Sequence, residues 1–125
     1  MSGLFNGTPF GRVVGRVFAP TGELITLQYG KIDVAASGDT TLVAGVTGKS
    51  IYLMGVEFVC ANTVTVGFKS DAATILVQPQ SFGANSGKQL PVSDFGYTKT
   101  VVGEALVITL GGAVQVSGSY VVAVL

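Results

Sequence analysis

The chain has 125 residues, of which 48% are hydrophobic and 11% charged, with seven basic and seven acidic side chains in balance. Disordered chains pair low hydrophobicity with high net charge, so one ordered, charge-poor domain is expected. Collagen is excluded because its Gly-X-Y period is missing. Balanced charge offers no global field to nucleic acid, and the absence of His removes the commonest general base, the Ser-His and Cys-His nucleophile pairs and most zinc sites.

A small domain has a large surface for its volume. With so few charges, that surface must consist of Thr, Ser, Gly and apolar groups. Extended exposed apolar surface marks interaction sites, so part of it is expected to be buried in an oligomer or a larger assembly.

In chain order, Met1 to Gly22 contains Arg12 and Arg16 and no acid, with Phe5, Phe10 and Phe18 spaced along it. A core is hard to build from such a segment. It reads as an extended arm whose Phe5, Phe10, Arg12, Arg16 and Phe18 bind a partner. No charged stretch followed by an apolar run opens it, so no signal peptide is expected. Arg12–Phe18 is a weak strand interrupted by Gly15.

The strands that follow are rich in Val, Ile and Thr and are punctuated by glycine-containing turns. Glu23–Val34 is a better strand. Thr40–Val46 alternates, with Leu42, Ala44 and Val46 on one face. Ser50–Cys60 places Tyr52, Met54, Val56, Phe58 and Cys60 together, and Ile51, Leu53, Gly55 and Glu57 opposite. Cys60 is the single cysteine, so it reads as a buried free thiol and no disulfide framework exists. Thr63–Lys69 points Val64, Val66 and Phe68 inward. Thr74–Val77 is short and stops before Pro79. Gln78–Lys99, with Pro79 and Pro91 and few β-branched residues, is a long excursion, either a functional loop or a crossover between two sheets. Ala105–Leu110 places Leu106, Ile108 and Leu110 on one face, and Val114–Val116 and Tyr120–Leu125 close the chain. The uncharged stretch Ala105–Leu125 is long enough to span a bilayer, but Gly111-Gly112 and Ser117-Gly118-Ser119 divide it into strands, so no membrane contact is expected.

Roughly eight or nine short strands predict an all-β fold, an antiparallel β-sandwich of the jelly-roll or a related Greek-key type. Residues 1–36 would form the arm and first strands, and 37–125 the sandwich.

Chemistry is hard to place on this chain. Glu23, Asp33, Asp39, Glu57, Asp71, Asp94 and Glu104 are scattered singly, without the spacing of a paired-carboxylate or metal site. Lys49-Ser50 and Lys69-Ser70 are sequence neighbours at strand ends, so their side chains diverge. The glycine loops match no phosphate-binding pattern. No enzymatic activity, cofactor, metal or nucleic-acid partner is expected.

Gly38-Asp39-Thr40-Thr41-Leu42-Val43-Ala44 leads to Val46-Thr47-Gly48-Lys49-Ser50-Ile51, then Val64-Thr65-Val66-Gly67-Phe68-Lys69-Ser70, Pro91-Val92, Gly103-Glu104-Ala105-Leu106-Val107-Ile108 and Ser119-Tyr120-Val121-Val122. This order of turns and strands, over about Ser37 to Leu125, resembles the capsid decoration (cement) proteins of tailed bacteriophages. The resemblance implies a structural virion protein, a homotrimer on the outside of the capsid, assembled in the host cytoplasm and bound to the major capsid protein. The same pattern occurs in phage tail and fibre modules, which implies the alternative of a module that binds a host receptor or glycan.

Overall fold

The computed structural model describes residues 27–93 and 96–125 in full, and the backbone of 11–13, 16–18 and 24–25. The first strands, β1 (Gly11–Val13), β2 (Arg16–Phe18) and β3 (Leu24–Ile25), form a three-stranded antiparallel sheet. Where one weak strand was expected over Arg12–Phe18, two short ones pair, with Arg12 opposite Val17 and Arg16 opposite Val13.

The rest of the chain forms β4 (Gln28–Val34), β5 (Gly38–Val43), β6 (Ile51–Cys60), β7 (Val64–Ser70), β8 (Thr74–Phe82), β9 (Ser86–Leu90), β10 (Thr98–Lys99), β11 (Leu106–Leu110) and β12 (Val116–Val124). The antiparallel pairs are nested: β4 with β12, β5 with β11, β6 with β9, and β7 with β8. The chain thus doubles back on itself at the β7–β8 turn. Alternate pairs fall in opposite sheets, one containing β4, β12, β6, β9 and β10, the other β5, β11, β7 and β8. Nested pairs wrapped into two packed sheets make a jelly roll. The expected all-β antiparallel sandwich is therefore what the chain forms, and no helix occurs among the described residues.

Period-two alternation builds the core. Val64, Val66 and Phe68 from β7 and Leu106, Ile108 and Leu110 from β11 meet Ile32, Leu53, Phe58 and Val122 of the facing sheet. The Phe58 ring lies 5.1 Å from that of Phe82, edge to face, an arrangement aromatic quadrupoles favour. Cys60 is fully buried and free, as expected. Each large aliphatic side chain so enclosed contributes about 1.5–3 kcal/mol relative to exposure.

Four local expectations are corrected. The first is the facing of β6. Its pairing with β12 shifts register between Val121 and Val122, opposite Gly55 and Leu53. Met54 is the extra residue of that bulge and reverses the phase. Ile51 and Leu53 therefore join Val56, Phe58 and Cys60 in the main core, while Met54 belongs to a second cluster with Ala123, Tyr52 and Val121. Second, β5 ends at Val43, and Ala44 and Val46 are exposed loop residues. Third, β8 continues through Pro79 to Phe82. A proline is tolerated there because β8 is an edge strand and its pairing with β7 is irregular at that point, where no ladder N–H is required. Fourth, the final strand is continuous from Val116 to Val124. Gly118 lies inside it because a Cβ there would fall on the carbonyl oxygen of Glu57.

The 78–99 excursion is largely strand. A turn at Gly83–Asn85 carries the chain from β8 in one sheet to β9 in the other, with Asn85 at φ 58°. It is the crossover that a Greek key requires.

Candidate interaction surface

Strand register places several loops at one end of the sandwich. Val122 of β12 pairs with Gln28, where β4 begins, and with Leu53, near the start of β6. The chain therefore passes from β3 into the sandwich at this end. The β5–β6 loop, the β7–β8 turn and the β10–β11 loop lie here too. Ser50 and Leu125 exchange backbone hydrogen bonds of 2.8 and 3.0 Å, and Gly103 N–H donates to the Lys49 carbonyl at 2.7 Å.

Two turns shape the tip. Lys49 N–H donates to the Val46 carbonyl at 3.0 Å, and Glu104 N–H to the Val101 carbonyl at 2.9 Å. Each turn has glycine at its third position in the left-handed region, Gly48 at φ 76° and Gly103 at φ 85°. That is the requirement of a type II turn, which only glycine meets without strain. The second turn is held from below. Val101 N–H donates to Ser70 Oγ at 2.9 Å, and the Ser70 hydroxyl donates to Glu104 Oε1 at 2.6 Å. Ile51 N–H donates to Thr100 Oγ1 at 2.9 Å, and Ala105 N–H to Asp71 Oδ1 at 2.9 Å. Ser70 and Thr100 are buried, and these bonds satisfy their hydroxyls.

This rigid platform presents apolar side chains to water. Val102 is 62% exposed, Val101 48% and Val46 42%. Turn corners ordinarily carry Gly, Pro, Asn, Asp or Ser, so an exposed Val102 does nothing for the turn itself. On the adjoining outer face, Leu27, Tyr52, Val121 and Leu125 pack over Met54 and Ala123, and Lys99 Nζ stands 5.6 Å from the Tyr52 ring centroid.

Exposed apolar side chains also occur away from the tip, with Tyr29 at 74%, Val59 at 53% and Ile75 at 49%. A shallow trough of about 320 Å³ crosses the outer face over β6, lined by Glu57, Val59, Gly87, Gln89, Ser117 and others. It exists because Gly87 and Gly118 carry no side chain; a Cβ on either would meet the β6 backbone. Ser119 Oγ donates to Glu57 Oε1 at 3.3 Å. On the opposite sheet, Lys69 Nζ lies 3.0 Å from Asp39 Oδ2. Hydrogen bonds from Lys69 and from Thr109 hold the Asp39 carboxyl below its ordinary range, and burial pushes the Cys60 thiol up. Among the described residues, no three His, Cys, Asp or Glu side chains gather where a metal ion could be held.

Of the residues the sequence singles out for partner binding, Phe5 and Phe10 lie outside the described residues. Arg12 is placed on β1, and Arg16 and Phe18 on β2, by backbone alone. The alternation over Thr40–Val46 places Val46 on a strand, and the sequence reading singles out neither Val101 nor Val102, so the valine tip emerges only from the structure. The available signal was two adjacent valines followed by glycine in a loop. Compared with protein-family models, curated proteins and solved structures, the chain matches none.

Proposed function

We propose that this chain is a structural assembly protein, a jelly-roll module that docks by one end onto a larger protein shell and stabilises contacts between the shell's subunits. The observation that carries this reading is the exposed Val101–Val102 pair on a turn fixed by hydrogen bonds to Ser70, Lys49 and Ile51. A preorganised apolar tip gains from being covered and loses little entropy in the process. The same end receives the chain from the N-terminal segment, so the proposed arm and the tip would engage one partner together.

In this proposal the sequence resemblance supplies the identity of the shell. The partner is the major capsid protein of a tailed bacteriophage, the site is the outside of the virion, and the protein acts as a homo-oligomer, for which the resemblance implies three copies. The protein has no catalytic role and needs no cofactor.

The test is co-sedimentation with bare heads assembled from the major capsid protein of the same virus. The wild-type chain is expected to decorate them. Deleting Met1–Gly11 should abolish decoration while leaving the oligomer intact. Unchanged decoration would remove the arm from the contact, and an oligomer that falls apart would assign the arm to self-association. Failure of the intact chain to bind bare heads would overturn the proposal.

A further inference from the structure

Among the described residues the two sheets have four open sides, and three are interrupted. On β8, Pro79 and two register shifts break the ladder. On β5, pairing with β11 shifts beside Leu42, whose carbonyl is taken by the Tyr120 hydroxyl at 3.1 Å. The side formed by β9 and β10 is split by the connection between them. Prolines, bulges and short strands are the usual protections against edge-to-edge pairing.

β4 has none of these. Its seven residues pair with β12 in unbroken register, and among the described residues no strand pairs with its other side. Half of its backbone polar groups therefore face outward, as in any edge strand. Its outward-facing charges are Lys31 and Asp33, with side chains 84% and 61% exposed. They are two residues apart on one face, so they flank Ile32 symmetrically and cancel in charge.

We propose that β4 pairs with β4 of a second copy, antiparallel, about a two-fold axis through Ile32. This rests on the assembly reading and gives it a contact. In that register Lys31 faces the partner's Asp33, and Asp33 faces the partner's Lys31. A two-fold contact must be self-complementary, and opposite charges directly across an antiparallel pair stabilise it. The two sheets become one continuous sheet. The contact closes at two copies, in place of the three that the resemblance implies.

Charge exchange tests the register. The wild-type chain is expected to sediment as a dimer at micromolar concentration. Asp33→Lys and Lys31→Asp each turn two attractive pairs into repulsive ones and should weaken the dimer by about tenfold or more. Combining both substitutions restores opposite charges across the axis and should restore the dimer. Within one copy Lys31 Nζ lies 3.9 Å from Asp33 Oδ2, and Gln115 Nε2 donates to Asp33 Oδ1 at 2.8 Å. The double variant restores the first contact and loses the second, so urea unfolding of each variant is read beside sedimentation. A dimer that recovers more than the stability does reports the contact between copies. Circular dichroism of each variant should keep the strand spectrum. A monomer, a trimer, a dimer insensitive to the single exchanges, or a double variant no tighter than the singles would each overturn the edge pairing. None of these outcomes touches shell docking, which co-sedimentation with bare heads decides separately.

Discussion

The ring of Tyr120 occupies the place where a Cβ on Gly30 would lie. From β12 this side chain passes beneath β4, and its hydroxyl donates to the Leu42 carbonyl at 3.1 Å. One residue thus closes the side of the sandwich between β4 and β5. Gly30→Ala should displace the ring and destabilise the protein by about 1–3 kcal/mol, the cost of overpacking plus a lost hydrogen bond. Tyr120→Phe keeps the ring and should cost only about 1 kcal/mol. Urea unfolding with an unchanged m-value would check both.

Gly103, at φ 85°, has open space where a Cβ would stand. Replacing it with Ala isolates backbone strain from crowding. Gly103→Ala should lose about 1–2 kcal/mol. Gly112 also has open space around it, without a left-handed backbone, so Gly112→Ala should be close to neutral. Thermal unfolding of the two variants side by side gives the comparison.

Asp39 has a folded pKa below its ordinary value, chiefly through the hydrogen bond from Lys69. A lowered carboxyl pKa stabilises the fold above the unfolded value of about 3.9, and that contribution is lost as pH falls through the folded value. Asp39→Asn should therefore be less stable than wild type at neutral pH, with the difference shrinking below about pH 4. Chemical denaturation across that range would show it.

Burial raises the Cys60 thiol, and the side chain is inaccessible. The folded protein should resist alkylation at neutral pH and react at once when unfolded, because the thiolate is the nucleophile. Cys60→Ser should cost about 1–3 kcal/mol by placing a hydroxyl among apolar neighbours. Timed alkylation with mass detection checks the first expectation, and urea unfolding the second.

The parts of this fold that show in the sequence are those where alternation runs unbroken. Val64, Val66 and Phe68 on β7, and Leu106, Ile108 and Leu110 on β11, are buried as their period requires. The misreadings occur where long-range pairing overrides local pattern. The bulge at Met54 is set by β12 and leaves no mark on β6 alone. Gly87 and Gly118 sit within strands because β6 crowds them, yet in sequence both look like turns. Ser86–Leu90 has almost no β-branched character and becomes a strand through its backbone bonds to Val56–Cys60. The valine tip was hidden for a related reason. Val46 alternates in register with Leu42, so only the end of the β5–β11 ladder at Val43 reveals it as a loop residue.

The most direct measurement of the docking claim is co-sedimentation of Val102→Lys with bare capsid heads, alongside wild type. Val102 is 62% exposed and makes no side-chain hydrogen bond, so the substitution should leave the thermal transition unchanged. Its charge would have to be buried in the proposed contact, which costs several kcal/mol. The account predicts a folded variant that no longer decorates heads at concentrations where wild type saturates them. A variant that binds as wild type does would contradict it.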